Sequence, residues 1–130
     1  MQSDGVHRPC LPITLGYERR EFPVGHALVD SGSDVTVFPL AVAHLLEIEL
    51  DDSGRISLGS AGGDTFVCFP SREKVTFTIE HSGYRPIRWQ AHAYFAQHEP
   101  VLLLGHRGCL EKFDVTLRGP EKLLQIIPRF

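Results

Sequence analysis

The sequence predicts a mainly β protein folded as a single domain, and three observations carry that expectation. Short runs rich in β-branched and aromatic residues recur along the chain, separated by Gly, Pro, Asp and Ser clusters, as strands joined by turns would be. Val75, Phe77 and Ile79 alternate with Thr76, Thr78 and Glu80, which places apolar side chains on one face of a strand and polar ones on the other. The 130 residues suffice for one hydrophobic core, and no repeat, low-complexity tract or Gly/Ser linker divides residues 1–130 into two units.

In order along the chain, strands are expected at Pro12 to Leu15, Val24 to Val29, Val35 to Phe38, Arg55 to Ser60 and Thr65 to Phe69. They continue at Lys74 to Glu80, Ile87 to Phe95, Val115 to Arg118 and Leu123 to Ile127. His81, Ser82 and Gly83 supply a hairpin turn after the alternating strand. Two short helices interrupt the pattern. The first opens at Pro39, a residue favoured in a first helical turn, and carries Leu40, Ala43 and Leu46 at helical spacing. The second lies around Cys109 to Phe113.

Composition narrows the function classes. Hydrophobic residues at 42% and charged residues at 22% match a soluble globular chain and argue against disorder. A formal net charge of -3, with no dense run of Lys or Arg, leaves no electrostatic footprint for nucleic acid. No apolar run, Val101 to Leu104 included, is long enough to cross a bilayer, and Met1 to Cys10 lacks the pattern of a signal peptide. Cys10, Cys68 and Cys109 are odd in number and widely spaced, which suits reduced thiols and a cytoplasmic setting better than a disulfide framework. The seven histidines make no metalloprotease spacing and sit beside no paired cysteines, so neither metal nor other cofactor is expected.

The most informative stretch is HALVDSGSDVTVFP, His26 to Pro39, in which the apolar strand Ala27, Leu28, Val29 runs directly into Asp30, Ser31, Gly32. A carboxylate after three apolar residues is desolvated unless something satisfies it, and the small residues that follow let backbone and hydroxyl groups approach closely. The plain alternative is a turn in which Asp30 and Ser31 bond only to nearby backbone. The chain itself illustrates that alternative. Asp52, Ser53, Gly54 repeats the tripeptide, but Glu49 and Asp51 precede it and Arg55 follows, as in a solvated turn.

The apolar approach, the Asp30-Ser31-Gly32-Ser33-Asp34 run and the apolar continuation through Val35, Val37 and Phe38 resemble the retropepsin family of aspartic proteases. A second signature of that family, an apolar run ending in Gly before a short helix, is matched by VLLLGHRGCLEKF from Val101 to Phe113. Between them SLGSAGGDT, Ser57 to Thr65, is similar to the family's substrate-covering flap, although Gly-rich hairpin tips are common in other proteins. The resemblance implies a closed barrel with one or two short helices, acting as a symmetric homodimer on a peptide or protein substrate. It implies a catalytic segment of Asp30, Ser31 and Gly32. Substrate contacts would come from Asp34, Gly62 and Gly63. It also implies that the C-terminal LLQIIPRF helps form a sheet between subunits; a last core strand is the competing reading. Two departures stand out. Where relatives carry Arg directly after the Gly of the second signature, this chain has His106, with Arg107 one place later, and the flap has no aromatic residue near its tip.

Peptide hydrolysis by this route needs two carboxylates facing one water, one to take its proton and the other to protonate the scissile carbonyl oxygen. One chain offers one qualifying Asp, so the second must come from an identical chain across a twofold axis. A serine hydrolase is disfavoured because no Gly-x-Ser-x-Gly turn occurs, and Cys68 and Cys109 are expected to be buried, inert thiols. The alternative to an aspartic endopeptidase is a catalytically inactive retropepsin-like module for dimerisation or peptide binding.

Overall fold

Strands β1 (Cys10–Tyr17) and β2 (Arg20–Val29) form an antiparallel hairpin, the frame to which the later elements attach. The computed structural model describes residues 9–59, 63–97 and 102–130. Register in the hairpin slips between Ile13 and Thr14, and Gly25 absorbs the bulge with a φ of 118° that an L side chain rarely adopts. β3 (Val37–Pro39) leads into α1 (Leu40–Leu46), so Pro39 caps the helix from an extended conformation instead of occupying its first turn. The helix turns Val42, Ala43 and Leu46 into the core and ends where Glu47 adopts the left-handed conformation. A single 3-10 turn, Asp52–Gly54, then precedes the hairpin of β4 (Ile56–Gly59) and β5 (Thr65–Pro70).

β6 (Val75–Ile79) pairs with β1 on one side and with β7 (Ile87–Ala91) on the other, through the turn expected at His81 to Gly83. Val75, Phe77 and Ile79 are buried as their alternation requires, but Thr78 is buried too. Thr78 lies between Thr14 of β1 and Arg88 of β7, and its hydroxyl accepts a hydrogen bond from the Arg88 Nε–H at 3.3 Å. The strand expected over Ile87 to Phe95 is two strands, β7 and β8 (Tyr94–Ala96). Ser71 makes the break: its carbonyl accepts from His92 Nδ1, its N–H donates to the Ala93 carbonyl, and the chain transfers from the β6 ladder to β3 and β5.

The two-residue strand β9 (Leu103–Leu104), unforeseen as a strand, slots between β2 and β3, parallel to the first and antiparallel to the second. The resulting nine-stranded sheet has the order β4-β5-β8-β3-β9-β2-β1-β6-β7. The expected mainly β domain is thus a curled sheet wrapped round its core; among the described residues the hydrogen-bonded order has two ends, at β4 and β7. Phe38, Phe77 and Phe95 lie at the centre, with Phe38 within 5.9 Å and 6.3 Å of the other two ring centres, and Trp89 stacks on Phe77. A smaller cluster of Val35, Val37, Cys68 and Ala96 fills the space beside the β3–β5–β8 region.

The second expected helix is one 3-10 turn, Leu110–Lys112, followed by a separate hairpin of β10 (Phe113–Arg118) and β11 (Leu123–Pro128). Val115 and Ile126 pack on the core, whereas Leu117, Leu123 and Ile127 remain exposed, so the hairpin is seated on the core by one face only. No helix among the described residues is long and apolar enough to cross a membrane.

Candidate active site

Asp30 is fixed through its backbone. The ladder between β2 and β9 continues past the last paired residues, with the Asp30 N–H donating to the Leu104 carbonyl at 3.0 Å. The side chain therefore emerges, half-buried, where the sheet stops. Its carbonyl accepts the Ser33 N–H at 3.1 Å, and its Oδ1 accepts the Gly32 N–H at 2.9 Å, which closes a tight turn on the carboxylate. The other carboxylate oxygen has no protein hydrogen bond among the described residues.

The two signature segments meet directly beneath this turn. His106 and Arg107 donate their backbone N–H groups to the Ser33 and Asp34 carbonyls at 3.0 and 2.9 Å, and the buried Thr36 hydroxyl donates to the Arg107 carbonyl at 2.8 Å. The same hydroxyl accepts the Gly105 N–H at 3.2 Å. Gly105 is required by this approach: a Cβ there would stand 2.6 Å from the Ser33 carbonyl oxygen and closer still to that of Val35. Ser33 adds a bond from its hydroxyl to the Val35 carbonyl at 2.7 Å. Among the described residues no buried side-chain polar atom is left without a partner, which braces the loop from behind.

Ser31, Gly32 and Asp34 are exposed on the Asp30 loop. Arg107 forms no ion pair with Asp34, because its backbone and not its guanidinium meets that residue. Gly63, with a φ of 88°, lies at the tip region of the β4–β5 hairpin, and a Cβ built on it would meet nothing within 4 Å. Gly62 lies outside the described residues. The open concavity lined by Glu18, Arg19 and Arg20 is at the opposite end of β2 and shares no residue with the Asp30 loop.

Two contributors to the site carry no strong signal in the sequence. Thr36 was visible as a polar residue between Val35 and Val37, and its burial follows from the hydrogen bonds across to the second signature. His106 stood out only as a departure from the family pattern; its imidazole Nε2 lies 2.8 Å from the Ser31 carbonyl oxygen. Cysteine chemistry is disfavoured by both buried thiols. Burial pushes Cys68 up to about 11 and Cys109 up to about 12, away from the thiolate that a nucleophile requires. No group of three or more potential metal ligands occurs among the described residues.

Fold and site together define a mainly β domain with one carboxylate presented at a strand end on a doubly braced loop. No protein family and no curated protein matches the chain. Among solved structures it is similar to an EIAV protease complexed with the inhibitor HBY-793, at 20% identity over 82% of this chain and 88% of that chain, with a TM-score of 0.49.

Proposed function

We propose that the chain is one half of a homodimeric aspartic endopeptidase. The observation that carries this reading is the state of Asp30: backbone locked to β9, one carboxylate oxygen held by Gly32, the other without a protein partner among the described residues. That second oxygen suits a water or a twin carboxyl group. In the dimer two Asp30 side chains share one proton, since like charges at such proximity do not both ionise. One accepts a proton from the attacking water while the other protonates the carbonyl oxygen of the scissile amide. Ser31 links the two loops through its hydroxyl, the Gly32 carbonyl and Asp34 hold the substrate backbone, and Gly62 and Gly63 form the tip of the covering flap. No metal, cofactor or covalent intermediate takes part.

A second copy is supported by the β10–β11 hairpin. Neither strand has a further ladder partner among the described residues, and Leu117, Leu123 and Ile127 are exposed on it. The three free cysteines fit a reducing compartment, and we place the protein in the cytoplasm.

The test compares cleavage of a quenched fluorogenic peptide library by the parent chain and by Asp30→Asn, across acidic to neutral pH. Cleavage by the parent alone is expected, with a rate that peaks and declines on both sides because its limbs belong to the pair. Excess Asp30→Asn chain added to the parent should suppress activity, since mixed dimers hold a single acid. Equal cleavage by both forms overturns the reading. The inactive peptide-binding module is favoured by one observation, the missing Arg107–Asp34 ion pair. Its signature is a bound peptide that stays intact through long incubation and is indifferent to a transition-state mimic.

A further inference from the structure

The Ser31–Gly32 peptide unit is held at both ends. Its carbonyl oxygen lies 2.8 Å from His106 Nε2, and its N–H donates to Asp30 Oδ1 at 2.9 Å. A carbonyl oxygen can only accept, so Nε2 carries the proton of that imidazole. A peptide unit is planar, and fixing the direction of its C=O also fixes the direction of its N–H. The imidazole is therefore connected to the carboxylate by one rigid plate. Bonding at the carbonyl also polarises the amide and makes its N–H a stronger donor.

His106 is itself well placed to act as an anchor. Its backbone N–H is bonded to the Ser33 carbonyl, its carbonyl accepts the Glu111 N–H at 2.9 Å, and Gly105 beside it admits the close approach. The ring is exposed, so its bond to Ser31 contributes little to burial and acts chiefly on the loop.

From this geometry we infer that His106 is a positioning residue for Asp30, acting through the Ser31–Gly32 peptide to set the orientation of the carboxylate. The inference rests on the reading of Asp30 as the catalytic acid for its effect on rate, but its effect on the loop is independent of any activity. The departure from Arg at this place in the second signature then puts an imidazole hydrogen bond on the loop that carries Asp30.

The experiment uses the full chain, His106→Leu and His106→Gln, with Asp30→Asn as the blank. Two quantities are read: kcat and KM on the best peptide from the fluorogenic library, and amide proton exchange of Gly32 by NMR. Gln carries an amide N–H donor near the position of the imidazole Nε2 and should rescue; Leu fills similar space with no donor. His106→Leu is expected to lower kcat about tenfold or more at little change in KM, since a small misorientation of a reacting group has that effect. Gly32 exchange should accelerate in the same variant, and His106→Gln should bring both quantities back to near the parent.

Three indistinguishable His106 forms in an active enzyme silenced by Asp30→Asn overturn the inference and leave the proposed function standing. Equal loss in the Leu and Gln variants also overturns it, because the hydrogen bond is then not the cause. A parent chain that cleaves nothing while Gly32 exchange follows the donor pattern removes the proposed function and supports the positioning role.

Discussion

The chain contains Asp-Ser-Gly twice, and the two copies show how little a tripeptide decides. At 51–54 the Asp51 carboxylate accepts the Ser53 N–H at 3.1 Å and the Ser53 hydroxyl at 2.6 Å. That hydroxyl bond holds the Asp51 carboxyl below its usual range. Asp52 faces solvent with Arg55 3.8 Å away. At 30–33 the same local device recurs, a carboxylate accepting an N–H two residues onward. The difference lies behind the turn. The 51–54 turn is a surface fold of chain tied to Pro70, whereas the Asp30 loop is backed by Leu104, by the Gly105–Arg107 backbone and by the buried Thr36 hydroxyl. Local turn chemistry satisfies a carboxylate; packing from a distant segment gives it a fixed direction and a reason to be there.

Four measurements would break or sharpen that contrast. The largest effect is expected at the acids themselves. Asp30→Asn should remove peptide cleavage by about a hundredfold at the least, the scale of general acid–base catalysis, while Asp52→Asn leaves the rate unchanged in the same assay.

The glycines come next, read by urea denaturation. Gly105→Ala forces a methyl group into the Ser33 and Val35 carbonyls and should cost about 3 kcal/mol or more. Gly54→Ala meets the Pro70 ring at 2.8 Å, where a change of pucker relieves the contact, and should cost about 1 kcal/mol.

The hydroxyls should differ less. Thr36→Val leaves the Gly105 N–H without its acceptor in a buried place and should lower stability by about 1–3 kcal/mol. Ser53→Ala, on the exposed turn, should stay within about 0.5 kcal/mol in the same denaturation series.

The smallest effect concerns the apolar wall near the Asp30 loop, which the 51–54 turn lacks. Cys68 packs with Val35 and Val37, and Cys109 follows the turn that carries Gly105. Burial raises these thiols from an ordinary 9.0 to about 11 and about 12, so the unfolded chain ionises first as pH rises. Their contribution to stability is complete below pH 9.0 and is lost as pH climbs towards the folded values. The melting temperature should be insensitive to these thiols below that point. Above it each thiol should add a decline of at most about 1.4 kcal/mol per pH unit, which Cys109→Ala should partly remove.

Much of this architecture is legible in the sequence. The alternation of Val75, Phe77 and Ile79, the turn at His81 to Gly83 and the helical spacing of Ala43 and Leu46 are local periodicities, and each formed as the pattern required. Failures came where a neighbour remote in sequence took over a backbone group. Ser71 split the strand expected over Ile87 to Phe95, Arg88 and Thr14 enclosed Thr78, and β2 and β3 recruited Leu103 and Leu104 as a strand too short to announce itself.

By itself the sequence determined the mainly β character and the place of the Asp30 turn at the end of an apolar strand. These follow from side-chain period and from desolvation of a carboxylate, both of which act within a few residues. Only the tertiary structure decided that His106 meets the Ser31 carbonyl across a separation of 75 residues, and that Thr36 bonds to Arg107 across 71. Such contacts depend on which strand inserts between which others, and a hydrogen bond is directional only once both partners have been brought to within 3 Å by the packing of everything else.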